Sequence, residues 1–197
     1  MTTRALAEFA STLSYKDLPT ATVGIGKRLL LDAIGCLLTG AAGAQARSAA
    51  AMVRECGGNQ QATIYADGAR SSVCQAAFVN GISIYSLGMH DFLQKAGVHP
   101  GASVIPAVLA AGEWQRTPGT EMLAGMVAGY DVVDRVARSI MPSHRERGFH
   151  GTGTCGVFGA TAAAGRVLGL NPSQLACAFG IAGSQAAGLN ECIHDGT

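Results

Sequence analysis

The sequence predicts an all-α protein, a compact multi-helix bundle with at most one short strand or hairpin. Three observations carry that reading. Apolar residues recur at helical rather than alternating spacing along most of the chain. Glycine, proline and capping pairs punctuate it at helix-length intervals. Only one run is rich in strand formers.

Leu6, Phe9, Ala10 and Leu13 place one apolar face on a helix from Thr3 to Leu13, which Leu18-Pro19 closes off. Val23, Leu29, Leu30, Ile34 and Leu38 continue the pattern from about Thr20 to Leu38, with Gly40 and Gly43 as the stop and Asp32 as the helix's one carboxylate. An alanine-rich helix over Ala46 to Cys56 ends at Gly57-Gly58. Ala62 to Ala66 is the strand-like run, expected as an isolated edge feature before the Asp67-Gly68 turn. Ser72-Val73-Cys74-Gln75 has the spacing of a capping box and opens a helix through Phe78, Val79, Ile82 and Leu87, which Gly88 ends.

A further helix runs from Ser103 to Trp114, with Pro106 tolerable in its first turn. Thr117 is the expected N-cap and Pro118 the first residue of a long helix to Ile140, stopped by Met141-Pro142-Ser143. The last two helices run from Thr152 to Leu168 and from the capping sequence Asn171-Pro172-Ser173-Gln174 to Ala187. Gly156, Ala160 and Ala164 recur at every fourth position, as do Gly180 and Ser184, a spacing that lets helix backbones approach. Seven or eight helices follow, in one domain over residues 1–197.

Composition narrows the function. Hydrophobic residues make up 48% and charged residues 14%, with a mean hydropathy of +0.26. Ordinary soluble chains carry about a quarter charged residues, so burial against a partner or a further segment is expected. No window holds the roughly 18 unbroken apolar residues of a membrane span, because Asp32 and later Arg166 interrupt the long runs. Glu8 sits where a signal peptide would need its apolar core, so the expected location is the cytoplasm. A net charge of +1, with no basic run longer than His144 to Arg147, argues against nucleic acid. The six cysteines have no C-x-x-C pair and read as reduced core thiols.

Chemistry concentrates in Met89 to Pro106, where two histidines, an aspartate and a lysine interrupt a charge-poor chain. His99 precedes Pro100 and enters the Ser103 helix; His150 enters the helix that starts near Gly151, Thr152 and Gly153. Both imidazoles thus lie beside positive helix ends, which favour anions and disfavour imidazolium. Two neutral histidines beside anion-welcoming amides suit proton abstraction next to a carboxylate, and they are expected to share one cavity. His99 and His150 are the candidate acid/base residues, with Asp91 orienting. His90, Lys95, Gly151, Thr152 and Gly153 are the candidate substrate-binding residues. Each has a structural reading as well: His99 rigidifies a loop, His150 and Asp91 cap helix ends, and His90, Lys95, His144 and His194 are solvated. Gly151 to Gly156 matches G-x-G-x-x-G but lacks the preceding strand and following acid of a dinucleotide site. His90, Asp91 and His99 match no closed metal site, so neither metal nor cofactor is expected.

Leu31-Asp32-Ala33-Ile34-Gly35, Asn80-Gly81, His99-Pro100-Gly101-Ala102-Ser103-Val104-Ile105-Pro106 and Gly148-Phe149-His150-Gly151-Thr152-Gly153-Thr154, in that order, resemble the MmgE/PrpD family across essentially the whole chain. The resemblance implies a helical domain, a homodimer, and metal-free lyase or isomerase chemistry on a small di- or tricarboxylate, with dehydration the first reading and epimerisation or decarboxylation the alternatives. It places His99 on the family's H-P histidine, His150 on its F-H histidine and Asp91 in its aspartate-rich segment. Gly88 stands where relatives carry that segment's first aspartate, and His90-Asp91 replaces an Asp-Asp pair. The resemblance also implies a lysine-bearing T-K-x-x-H-x-G segment and a smaller α+β lid domain that these 197 residues do not contain. A complementary C-terminal polypeptide is therefore an expected partner, with poor activity without it. A non-catalytic helical subunit that stabilises a partner chain is the reading of a different class.

Overall fold

The computed structural model describes residues 3–191 and residue 193. Cys192 and His194 lie outside them. Among the described residues the elements are α1 (Thr3–Thr12), a 3-10 turn (Tyr15–Asp17), α2 (Thr20–Gly40), α3 (Ala44–Cys56), β1 (Ala62–Thr63), β2 (Arg70–Ser71), α4 (Val73–Tyr85), α5 (Gly101–Gln115), α6 (Gly119–Ile140), α7 (Ser143–Glu146), α8 (Gly151–Val167) and α9 (Pro172–Gln185). The all-α expectation holds. No single helix among them is long and apolar enough to cross a membrane; α2 and α3 meet both conditions only as a pair, which is bent by 82°.

Helix α8 is the hub, packing on α5, α6, α9 and α1. It comes this close because glycine faces glycine: a Cβ on Gly129 of α6 would lie 2.8 Å from the Gly159 carbonyl oxygen, and one on Gly159 would lie 2.9 Å from that of Gly129. The largest apolar cluster fills the space around this crossing with Leu37, Ile84, Val98, Val104, Ile105, Met126 and Val133. Gly156 meets Ser103 of α5 in the same way, as expected, but nothing lies within 4 Å of a Cβ on Gly180, and Ser184 is exposed. The Gly180 spacing therefore marks a solvent face and not a helix contact.

Asn80 and Gly81 have separate structural jobs. The buried Asn80 side chain accepts from the Tyr65 amide at 3.0 Å and donates to the Thr63 carbonyl at 2.9 Å, which pins the strand segment to α4. Gly81 admits the Ala102 carbonyl, 2.9 Å from where its Cβ would be. That carbonyl is the one Pro106, lacking an N–H, leaves without its helical donor. Pro106 thus lies inside α5 and past its first turn, contrary to expectation, at a position where the break helps α4 and α5 approach.

Other boundaries shift for local reasons. The Ala62 run is a two-residue strand, and it is not isolated: it pairs antiparallel with β2, Ala62 opposite Ser71. Glu113 of α5 fastens this hairpin by accepting from the Thr63 amide and hydroxyl, each at 2.7 Å, and by pairing with Arg70. Pro118, with φ −57° and ψ 144°, occupies the N-cap of α6 in place of Thr117, because Arg116 turns left-handed and Thr117 donates back to Gly112. The predicted caps at Ser72 and Asn171 form, each accepting from the amide three residues on. Of the five described cysteines only Cys36 and Cys155 are core thiols; Cys56, Cys74 and Cys177 are exposed and free.

Candidate functional site

The 86–100 connection between α4 and α5 folds into a tight excursion closed by Leu93 and Val98, with the Leu93 amide donating to the Val98 carbonyl at 2.9 Å. It carries His90, Asp91 and His99 toward the start of α8. There the His99 amide donates to Thr152 Oγ1 at 3.1 Å, joining the starts of α5 and α8. A segment at 188–190 closes the other side, its Gly188 carbonyl accepting from the His150 amide at 3.0 Å.

His99 and His150 line one cavity of about 260 Å³, with Tyr85, Phe92, Met141, Arg145, Thr152 and Asn190. His99 Nδ1 lies 2.7 Å from the Asp91 backbone carbonyl. A carbonyl only accepts, so Nδ1 carries the proton and Nε2 is left as the ring's acceptor. His150 Nε2 lies 3.3 Å from the Tyr85 hydroxyl. Burial lowers the His150 pKa, and the charges of His99 and Arg145 add to the effect, so its imidazole is neutral at neutral pH.

Asp91 does two things at once. Its backbone orients His99, while its carboxylate Oδ1 accepts from the Gly101 amide at 3.0 Å and caps α5. The start of α5 is therefore already occupied by the chain's own anion, contrary to the expectation of two open helix ends. His150, the N-cap residue of α8, makes no side-chain cap bond. Burial raises the Asp91 carboxyl above its ordinary range, opposed by the Tyr130 hydroxyl and the Gly101 amide. Oδ2 makes no geometrically complete hydrogen bond, and neither does the buried Tyr130 hydroxyl beside it.

His90 is not solvated: it is 7% exposed, its ring 4.5 Å from Tyr85 and 4.4 Å from His99 between centroids. Neither of its nitrogens has a hydrogen-bond partner, and burial, with His99, lowers its pKa to about 4. His144 is not free in solvent either, with Nε2 2.7 Å from Thr154 Oγ1 and its ring stacked on Phe149. Lys95 is exposed on the tip of the 86–100 excursion. Gly151 and Thr152 line the shared cavity; Gly153 lines a larger, mainly apolar groove of about 870 Å³ that shares Tyr85, His150 and Thr152 with it.

The G-x-G-x-x-G match is explained by packing. Residues 151–156 form the start of α8, where a Cβ on Gly151 would meet Met141 at 2.3 Å, one on Gly153 the Ala187 carbonyl at 2.6 Å, and one on Gly156 Ser103 at 2.8 Å. Among the described residues no three His, Cys, Asp or Glu side chains converge to hold a metal ion. Sequence reasoning missed Tyr85, Arg145, Tyr130 and Asn190. Arg145 had a signal, its place in the basic His144 to Arg147 run; Tyr85 closes a helix and shows no pattern of its own.

These features define a class: a helical domain with an imidazole at each of two adjoining helix starts, one ring locked in a single tautomer by a backbone carbonyl. The chain belongs to the MmgE/PrpD family, whose N-terminal domain matches residues 4–197. It is 30% identical over 206 residues to cis-aconitate decarboxylase of Aspergillus terreus, covering 98% of this chain and 41% of that protein. It is 28% identical over 202 residues to the cis-aconitate decarboxylase-like protein oryM of Aspergillus oryzae (98% and 42%), and 27% over 190 residues to human cis-aconitate decarboxylase (93% and 39%). The chain spans about two fifths of the length of these relatives.

Proposed function

We propose that this domain carries the acid/base residues of a lyase acting on a small di- or tricarboxylate. The observation that supports it most is the His99 tautomer: Nδ1–H held by the Asp91 carbonyl leaves Nε2 as a base in a ring lining the cavity that His150 also lines. In a dehydration, Nε2 takes the proton next to a substrate carboxylate and the hydroxyl leaves as water with a proton from the acid. In a decarboxylation the C–C bond to CO₂ breaks, the electron pair passes into the remaining conjugated acid, and an imidazolium returns a proton to carbon. Dehydration is the first reading of the sequence; the names of the three relatives favour decarboxylation of cis-aconitate.

Partners belong to the same proposal. Leu31 and Leu38 of α2, 71% and 58% exposed on one face, support a homodimer or a covering C-terminal polypeptide, which light scattering of the chain alone and of the mixture distinguishes. Turnover of cis-aconitate and of 2-methylcitrate should be measured with and without that polypeptide. His99→Asn and His150→Asn are each expected to lower kcat by about 10²–10⁴. Turnover indifferent to both changes would remove the acid/base assignment.

A further inference from the structure

Among the described residues Arg145 is the one Lys, Arg, Asp or Glu lining the cavity between His99 and His150, where the other polar side chains are Tyr85, Thr152, Asn190 and the two imidazoles. It stands on α7, the single turn between α6 and the start of α8. Its charge, after burial and the charge of His99, disfavours protonation of the His150 ring that lines the same cavity. A planar donor fork at the rim of a small polar cavity is matched to a carboxylate, which it can hold by two parallel hydrogen bonds.

We infer that Arg145 is the residue that anchors a carboxylate of the ligand in this cavity, beside His99 and His150. The inference rests on the acid/base reading and adds the residue that selects an acidic ligand. Among the described residues the titratable groups facing His150 are Tyr85 from α4, His99 from the connection before α5, and Arg145 from α7. The charges that keep a proton off His150 are those of His99 and Arg145, added to its burial. A bound carboxylate pairs with the guanidinium and cancels its field, which removes one of the terms that keep a proton off His150. Ligand binding and basicity are thereby coupled through a single side chain.

The test is NMR of histidine-labelled chain titrated with succinate, with succinamide as the uncharged control, in wild type, Arg145→Gln and Arg145→Lys. Arg145 is exposed, so the fold tolerates both changes. In wild type, succinate is expected to shift the His99 and His150 signals and to raise the apparent pKa of His150; succinamide is expected to do neither. Arg145→Gln is expected to weaken succinate about tenfold, the low end for a charge-assisted pair at an exposed site, and to leave His150 with an already raised pKa that succinate no longer moves. Arg145→Lys recovers part of the affinity. If Arg145→Gln binds succinate as tightly and still shows the ligand-induced rise, the anchor is wrong while the acid/base cavity stands. If succinate moves neither imidazole in wild type, the parent reading fails and the anchor with it.

Discussion

Burying an imidazole without hydrogen-bond partners fixes how stability responds to acid. His90 is neutral in the fold down to a pKa of about 4, while in the unfolded chain it titrates near 6.5. Above pH 6.5 both states are neutral and His90 adds no pH dependence. Between 6.5 and 4 the unfolded state binds a proton that the folded state refuses, so stability falls as pH falls, by about 3 kcal/mol in all, and flattens below 4. Unfolding free energies from urea titrations at pH 7 and pH 4.5 should therefore differ more in wild type than in His90→Leu, by about 2 kcal/mol. Contributions from His150 and Asp91 are common to both chains. At pH 7, His90→Leu is expected to be neutral or stabilising, since it removes unpaired polar atoms and keeps the volume. Equal acid losses in the two chains would show that His90 is not held neutral. The same residue marks the limit of what the sequence discloses. His99 and His150 were legible because a proline and a helix start follow them directly. The burial of His90 depends on how the 86–100 connection folds back over Tyr85, which no local pattern encodes.

Helix contacts show a similar division between what spacing reveals and what only packing decides. The helices, their order and the Ser72 and Asn171 caps were readable because apolar periodicity and cap chemistry act within a few residues. The contact-making glycines were readable only in part: the four-residue spacing finds Gly156 on α8, where it meets α5, but not Gly159, and it recurs on α9, where it meets solvent. Two substitutions separate these cases. Gly159→Ala would place a methyl 2.0 Å from Val133 Cγ2 and 2.9 Å from the Gly129 carbonyl, and a backbone oxygen has nowhere to go. It should cost about 2–3 kcal/mol by forcing α6 and α8 apart. Gly180→Ala meets nothing within 4 Å in the middle of α9 and should stabilise by about 0.5–1 kcal/mol through helix propensity. Chemical denaturation of both variants checks the pair, and a Gly159→Ala chain as stable as wild type would mean that the helices do not cross as tightly as described.

At the scale of the whole molecule the three apolar clusters share their walls. Helices α4 and α5 contribute to the cluster around Ile84 and Val104 and also to the one around Val53 and Ile64. Helices α6 and α8 contribute to the first of these and to the one in which α1 and α9 bury Ala7, Ala10, Leu175 and Phe179. No cluster can lose its packing without exposing a helix face that another cluster needs, so one cooperative transition is expected although the chain exceeds the size at which that is usual. The single tryptophan, Trp114 near the end of α5, reports on the hairpin side, on a helix that packs mainly on α8, α4 and α6. Its fluorescence and the far-UV dichroism of all the helices should therefore give the same midpoint. Leu175→Ala is the sharper form of the test. It removes a fully buried side chain from the α1–α9 cluster, at a cost of about 2–5 kcal/mol. If the clusters are one unit, the Trp114 midpoint falls by as much as the dichroism midpoint; a Trp114 transition that stays in place would show that α1 and α9 melt as a separate body.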